Sequence, residues 1–179
     1  MSRTDSSASK RFARPSSRSA TTRGANLLLK TIGGPQALTA WLRRTGDGIT
    51  RLDRYELELN EALPGDPRDT TTPRAMAQTY GRLFDGKVLS QASRRRLEGW
   101  LIGASTGLQR LRKDTPAGWR AGDKTGNGAR GSSNDVAVFW PPKGPRIYVA
   151  SYMTGTSVPM DVRNQVHAEI GRIVRERLS

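Results

Sequence analysis

The chain has 179 residues, 35% of them apolar, which is enough for one ordinary domain with a core of its own. It contains no cysteine and one histidine, His167, which excludes disulfides, thiolate metal sites and a histidine-built metal centre, and no cofactor is expected. The net charge of +14 suits a nucleic-acid binder, but the bases are dispersed among acids, with no basic stripe and no recognition motif, so nucleic acid is not the expected partner.

Residues 1–24 are rich in Ser, Arg, Thr and Ala, carry six Lys and Arg against one acid, and show no periodicity, so they read as disordered. They include no apolar h-region of a secretory signal, and no run in the chain approaches the ~18 apolar residues of a membrane span. As written, the sequence therefore points to the cytoplasm and to no membrane contact. Order is expected from Ala25. The run ANLLLKTI and then PQALTAWLRRT, with Leu38, Trp41 and Leu42, predict two helices broken at Gly33-Gly34-Pro35. Arg51 to Asp69 has no sustained period and ends in a Pro/Gly/Asp cluster, which predicts a long loop; loops of that length in compact domains are usually functional.

Thr72-Pro73 supplies an N-cap and a first-turn proline for a helix with Ala75, Met76, Tyr80, Leu83 and Phe84 on one side, stopping at Gly86. Ser90 opens a further helix whose buried stripe should be Leu97, Trp100 and Leu101, and GLQRLRKD predicts a short basic helix. From Gly118 the period changes to two, and GWRAGDKTGNG, NDVAVFWPP and RIYVASYMT predict three strands. Asp161 should cap a last helix with Val162, Val166, Ile170 and Ile173 as its apolar face. Helices followed by antiparallel strands and a covering helix indicate an α/β (α+β) layered fold.

Two segments carry chemistry: the loop RLDRYELELNEALPGDPRD and the tetrapeptide Asp123-Lys124-Thr125-Gly126. Together they resemble the Ω-loop and the Lys-Thr-Gly strand of a class A serine β-lactamase. Thr106-Gly107 and GDPRDTTTP add to the likeness, which runs from about Ala25 to the C-terminus. The resemblance implies a partial helical domain over residues 25–117, with its Ω-loop at 51–69, and the last strands and helix of an α/β domain over residues 118–179. Three of five strands would be present. It implies β-lactams as small-molecule partners and, for intact members, a monomer outside the inner membrane.

By the same resemblance Glu56 is the general base that activates the water attacking the acyl-enzyme, and Asn60 holds that water. Arg54 and Asp69 form the ion pair closing the loop. Lys124 supplies positive potential, Thr125 and Gly126 border the substrate, and Asn127 offers a backbone N–H to the oxyanion. Ser133 stands where many relatives have a carboxylate-binding arginine; Arg110 matches the alternative arginine of a subset. Tyr55 replaces the more usual Trp, and Leu57 replaces a proline that often follows a cis bond. His167 has no counterpart in the site and reads as structural.

The nucleophile's Ser-x-x-Lys motif and the Ser-Asp-Asn motif are absent in any credible setting. Ser7-Ala8-Ser9-Lys10 lacks an apolar helix, and Ser133-Asn134-Asp135 heads a strand. Two readings stay open for residues 1–22. Ala20-Thr21-Thr22-Arg23 is what codons for Ser-Asp-Asn-Thr give when read one base late, which suggests a shifted frame; the alternative is a native basic tail. The expectation is a truncated β-lactamase, inactive alone and prone to aggregate because the strand RIYVASYMT lacks a sheet partner. A non-catalytic β-lactam-binding or interaction fragment is the competing reading, and a nucleic-acid binder the third.

Overall fold

The computed structural model describes residues 17–178, with side chains from Thr22 onward. In chain order the elements are α1 (Ser17–Thr31), α2 (Gly34–Arg44), a 3-10 turn (Glu58–Asn60), α3 (Pro73–Phe84), α4 (Gln91–Ile102), β1 (Arg120–Asn127), β2 (Ser133–Trp140), β3 (Ile147–Met153) and α5 (Met160–Leu178). The strands form one antiparallel sheet in the order β1-β2-β3. No helix among the described residues is long and apolar enough to cross a membrane.

The sheet's central strand organises the core. Alternation along β2 sends Ala137 and Phe139 to one face, where they meet Leu111, Ile147 and Val149 beneath Ile170 and Val174 of α5. It sends Val138 and Trp140 to the other face, against Phe84 of α3 and Leu101 of α4. Phe84 meets Trp140 edge-on at 5.7 Å between ring centroids. The period of two expected for NDVAVFWPP does not show in its burial, since residues 135–140 are buried without a break because both faces of the strand are covered. Local signals also act as their chemistry requires. The Thr72 hydroxyl accepts the Ala75 N–H at 3.2 Å, Pro73 sits in the first turn of α3, and Ser90 caps α4 through Ser93. At the α1–α2 break Gly33 and Gly34 have φ of 97° and 86°, a region that suits glycine.

Four expectations are corrected. α1 begins at Ser17, before the expected start at Ala25; once a leucine-rich turn is nucleated, Ala, Ser and Arg extend it, and Gly24 costs only about 1 kcal/mol. Residues 1–16 lie outside the described residues. GLQRLRKD is not an α-helix but a chain of turns, with Arg110 N–H bonded to Gly107 O and Lys113 N–H to Arg110 O. Its polar groups are satisfied from elsewhere: the Asp135 carboxylate accepts the Leu111 N–H, and the Arg175 guanidinium donates to Leu111 O and Lys113 O.

Trp100 is 67% exposed, since Leu97 and Leu101, one turn apart, face the core and leave it on the flank of α4. The largest correction concerns α5, where Asp161 falls inside the first turn and the inward line is His167, Gly171 and Arg175. Val162, Val166 and Ile173 face outward, and only Ile170 of the expected face joins the core. Gly171 is required there, because a Cβ would lie 2.0 Å from Leu111 O.

Candidate active site

The loop between α2 and α3 is folded onto itself by charge. Asp69, in the left-handed region at φ 57°, accepts the N–H groups of Asp53 and Arg54 on one oxygen at 2.7 and 3.0 Å. Its other oxygen takes Arg54 Nε at 2.6 Å, and Arg54 Nη1 reaches Glu61 at 2.6 Å. The bond to Asp69 holds the Arg54 guanidinium above the usual arginine value. Asp53 returns the contact by accepting the Asp69 N–H at 2.8 Å while pairing with Arg51.

Asp47, 1% exposed, anchors the loop's base. It accepts from Thr50 and from Thr79 of α3 at 2.6 and 2.7 Å. Burial works against its charge, but these bonds, with those from the Ile49 and Thr50 N–H groups, bring the carboxyl down to about 2.

Within this frame Glu56 and Asn60 meet: Asn60 Nδ2 donates to Glu56 Oε2 at 2.6 Å. The Glu56–Leu57 peptide bond is cis. The backbone of Glu56 is fixed by Asn26 of α1, whose Nδ2 donates to Glu56 O at 2.9 Å and whose Oδ1 accepts the Glu56 N–H at 3.0 Å. The sequence reading missed Asn26. Its signal was a lone amide opening an apolar helical run.

Across from Asn60 stands β1. A cavity of ≈ 790 Å³ is bordered by Asn60 on the loop side and by Lys124, Thr125, Gly126 and Asn127 on the strand side. Glu56 stands behind Asn60 rather than on the cavity wall. Lys124 is exposed toward solvent and donates to Thr125 O at 2.5 Å, while Thr125 is buried and donates to the Thr106 hydroxyl at 2.7 Å. Strand alternation explains the split, because Asp123 and Thr125 point to the same buried side. Thr106-Gly107 is thus part of the wall: Gly107 leaves room for Asp123, whose Oδ2 lies 1.2 Å from where a Cβ would sit. The cavity lining also holds Ser132, whose hydroxyl pairs with Thr154 at 2.9 Å.

Arg110 does not line the cavity. It is 3% exposed and donates to Asn164 Oδ1, Asn134 O and Asn127 Oδ1 at 2.8, 2.8 and 2.7 Å, so it braces the end of β1 against β2 and α5. Burial pulls its pKa below the usual arginine value. His167, fully buried, bonds Ser151 at 2.9 Å and Ser133 at 3.2 Å; burial, then the nearby Arg110 charge, brings it down to about 4.

Beneath β1 and β2 lie Asp123 and Asp135, both 0% exposed. Arg112 Nε is 2.7 Å from Asp123 Oδ1, near enough for charge pairing but not aligned as a hydrogen bond. Burial and then the neighbouring Asp123 charge push Asp135 up to about 7, and burial raises Asp123. This cluster was also missed, since nothing local marks Asp135 as buried. Among the described residues no group of three or more His, Asp or Glu could hold a metal ion.

The loop with its Glu56–Asn60 pair and the Lys-Thr-Gly strand thus stand on opposite sides of one cavity, and these are the two segments that carried the likeness to class A serine β-lactamases. Comparisons with known proteins agree. The model of the Beta-lactamase enzyme family matches residues 22–178. Beta-lactamase FAR-1 of Nocardia farcinica is 48% identical over 149 residues, covering 83% of this chain and 48% of that protein. A beta-lactamase of Streptomyces lavendulae is 52% identical over 130 residues, covering 73% of this chain and 43% of that one. A solved ancestral class A beta-lactamase superposes with a TM-score of 0.82 at 57% identity, over 85% of this chain and 58% of its own. The chain belongs to the β-lactamase enzyme family, among class A members, and it spans about half the length of the curated relatives it matches.

Proposed function

We propose that this chain carries the deacylation side of a β-lactam-hydrolysing site. The observation that supports it most is the Glu56–Asn60 pair held at 2.6 Å behind a cavity whose far wall is Lys124–Asn127. Glu56 takes a proton from water held by Asn60, and the resulting hydroxide attacks the ester carbonyl of a β-lactam joined to a serine. The tetrahedral oxyanion is met by the Asn127 N–H. It collapses by expelling the serine oxygen, which recovers the proton. Lys124 and Thr125 receive the substrate carboxylate, and Gly126 lets it lie close to the strand. Arg110 serves this end of the site through Asn127, by positioning it.

The attacking serine comes from outside the cavity wall described above. Ser132, on that wall, pairs its hydroxyl with Thr154. By itself the chain should therefore bind β-lactams weakly and turn none over.

The test is a chimera in which residues 22–178 replace the matching stretch of the Nocardia farcinica enzyme. It should hydrolyse a chromogenic cephalosporin. Its Glu56→Gln variant should still acylate, seen as a mass increment, while turnover falls by about 10²–10⁴. A folded chimera without turnover, or one that Glu56→Gln leaves unchanged, would refute the assignment.

A further inference from the structure

Away from the cavity, α2 and α3 end and α4 begins at one corner of the molecule. Arg43 Nη1 donates to the Asp47 and Thr50 carbonyls at 2.7 and 2.6 Å, which folds the turn after α2. That turn lies against α3, since a Cβ on Gly46 would stand 3.6 Å from Arg82 Cδ. Arg94 of α4 reaches back to Gly86 O at 2.7 Å, just past the end of α3. Arg44 and Lys87, both exposed, flank these contacts.

The corner therefore gathers Arg43, Arg44, Arg82, Lys87 and Arg94, and their charges are poorly matched. Elsewhere on the surface Arg51 pairs with Asp53, Arg68 with Asp66, and Arg172 with Glu169 and Glu176. Here Arg43 and Arg94 bond carbonyls, which leave the guanidinium charge uncancelled. The nearby acids are occupied. Asp47 is buried 4.0 Å from Arg82 and held by threonines, and Asp85 is taken by Arg146 and Tyr148. Crowded like charges repel, and an anionic surface laid against them relieves the repulsion. One apolar side chain stands among them: Ile49, in the turn after α2, is 56% exposed.

We propose that this corner docks on an anionic phospholipid surface, the bases meeting headgroup phosphates and Ile49 entering the acyl boundary. The contact is peripheral, as no helix among the described residues is long and apolar enough to span a bilayer. A soluble polyanion would match the charges but give Ile49 nothing to bury against, so the bilayer is the better fit. The sequence reading expected no membrane contact because these bases lie far apart in the chain. They converge only where three helix ends meet.

The experiment is flotation of the full chain with vesicles of phosphatidylcholine and phosphatidylglycerol, and with vesicles of phosphatidylcholine alone; aggregated protein sinks and is not counted as bound. The chain should float with the first and not the second, and salt should release it. Arg44→Glu and Lys87→Glu should each lower the partition coefficient at least about fivefold. Arg177→Glu makes the same charge change on the exposed end of α5, across the sheet, and should leave partitioning nearly unchanged. Ile49→Ser should lower it at least about threefold, an effect that persists as salt rises. No flotation with anionic vesicles, or equal losses from all three charge reversals, would overturn the proposal. So would an Ile49→Ser chain that floats like the native one, which would make the corner a site for any polyanion. Turnover enters none of these readouts, so failure here leaves the assigned chemistry untouched.

Discussion

The loop carrying Glu56 and Asn60 is held by polar contacts, whereas the strand carrying Lys124 and Thr125 is held by a sheet buried on both faces. In the loop, Asp69 alone accepts from Asp53, Arg54 and the Arg54 guanidinium, and Asn26 fixes Glu56 from a separate helix. In the strand, β1 keeps full register with β2, from Arg120 opposite Trp140 to Asn127 opposite Ser133. Apolar burial is cooperative and non-directional, so the strand's geometry survives small insults. A polar clasp is directional and local, so one lost acceptor frees its whole segment.

That contrast can be broken most severely in the sheet. Phe139→Ala removes a fully buried ring from the cluster of Leu111, Ala137, Ile147 and Val149. It should cost about 3–5 kcal/mol, read as a lower urea midpoint, with loop and sheet lost together.

Asp69→Ala should act otherwise. It leaves a left-handed backbone without its acceptor and orphans two N–H groups. A local cost of about 1–3 kcal/mol is expected. It should appear as faster amide exchange in residues 51–69 while β2 keeps its protection. Equal loss in both regions would mean that the clasp and the sheet are not separate units.

A pH series sharpens the comparison further. His167 is held at about 4 against an ordinary 6.5, so the unfolded chain takes up a proton that the native chain refuses. Its contribution is complete above pH 6.5 and is lost as pH falls through about 4. Asp135, raised to about 7 from 3.8, acts in the opposite sense: its contribution is complete below 3.8 and is lost as pH rises through about 7. His167→Gln removes the first effect alone. Between pH 7 and 4.5 the variant should lose about 2–3 kcal/mol less than the native chain, measured by urea melts at each pH. Parallel pH profiles would show that His167 titrates normally.

The smallest effect belongs to Arg172, which pairs with Glu169 and Glu176 on the exposed side of α5. Arg172→Ala should leave the melting temperature unchanged within error.

The sequence alone determined the elements whose signals are local, and two of the segments that border the cavity. Thr72-Pro73 and Ser90 marked helix starts, Gly33-Gly34 marked a break, and the loop and Lys-Thr-Gly motifs named Asn60, Lys124, Thr125, Gly126 and Asn127, which border the cavity. Caps, turns and short motifs depend on a few neighbours in the chain, so they can be read without the fold. Tertiary structure decided which face of α5 is buried. A period of valines and isoleucines predicted one stripe, but His167, Gly171 and Arg175 turn inward because Ser133, Ser151 and the Leu111 and Lys113 carbonyls, distant in sequence, are there to satisfy them.

The same holds for Asn26 on Glu56, for Asp135 beside Asp123, and for Arg110, which braces Asn127 instead of facing the cavity. A buried polar group is stable only through partners, and partners brought together by folding leave no periodic trace in the chain.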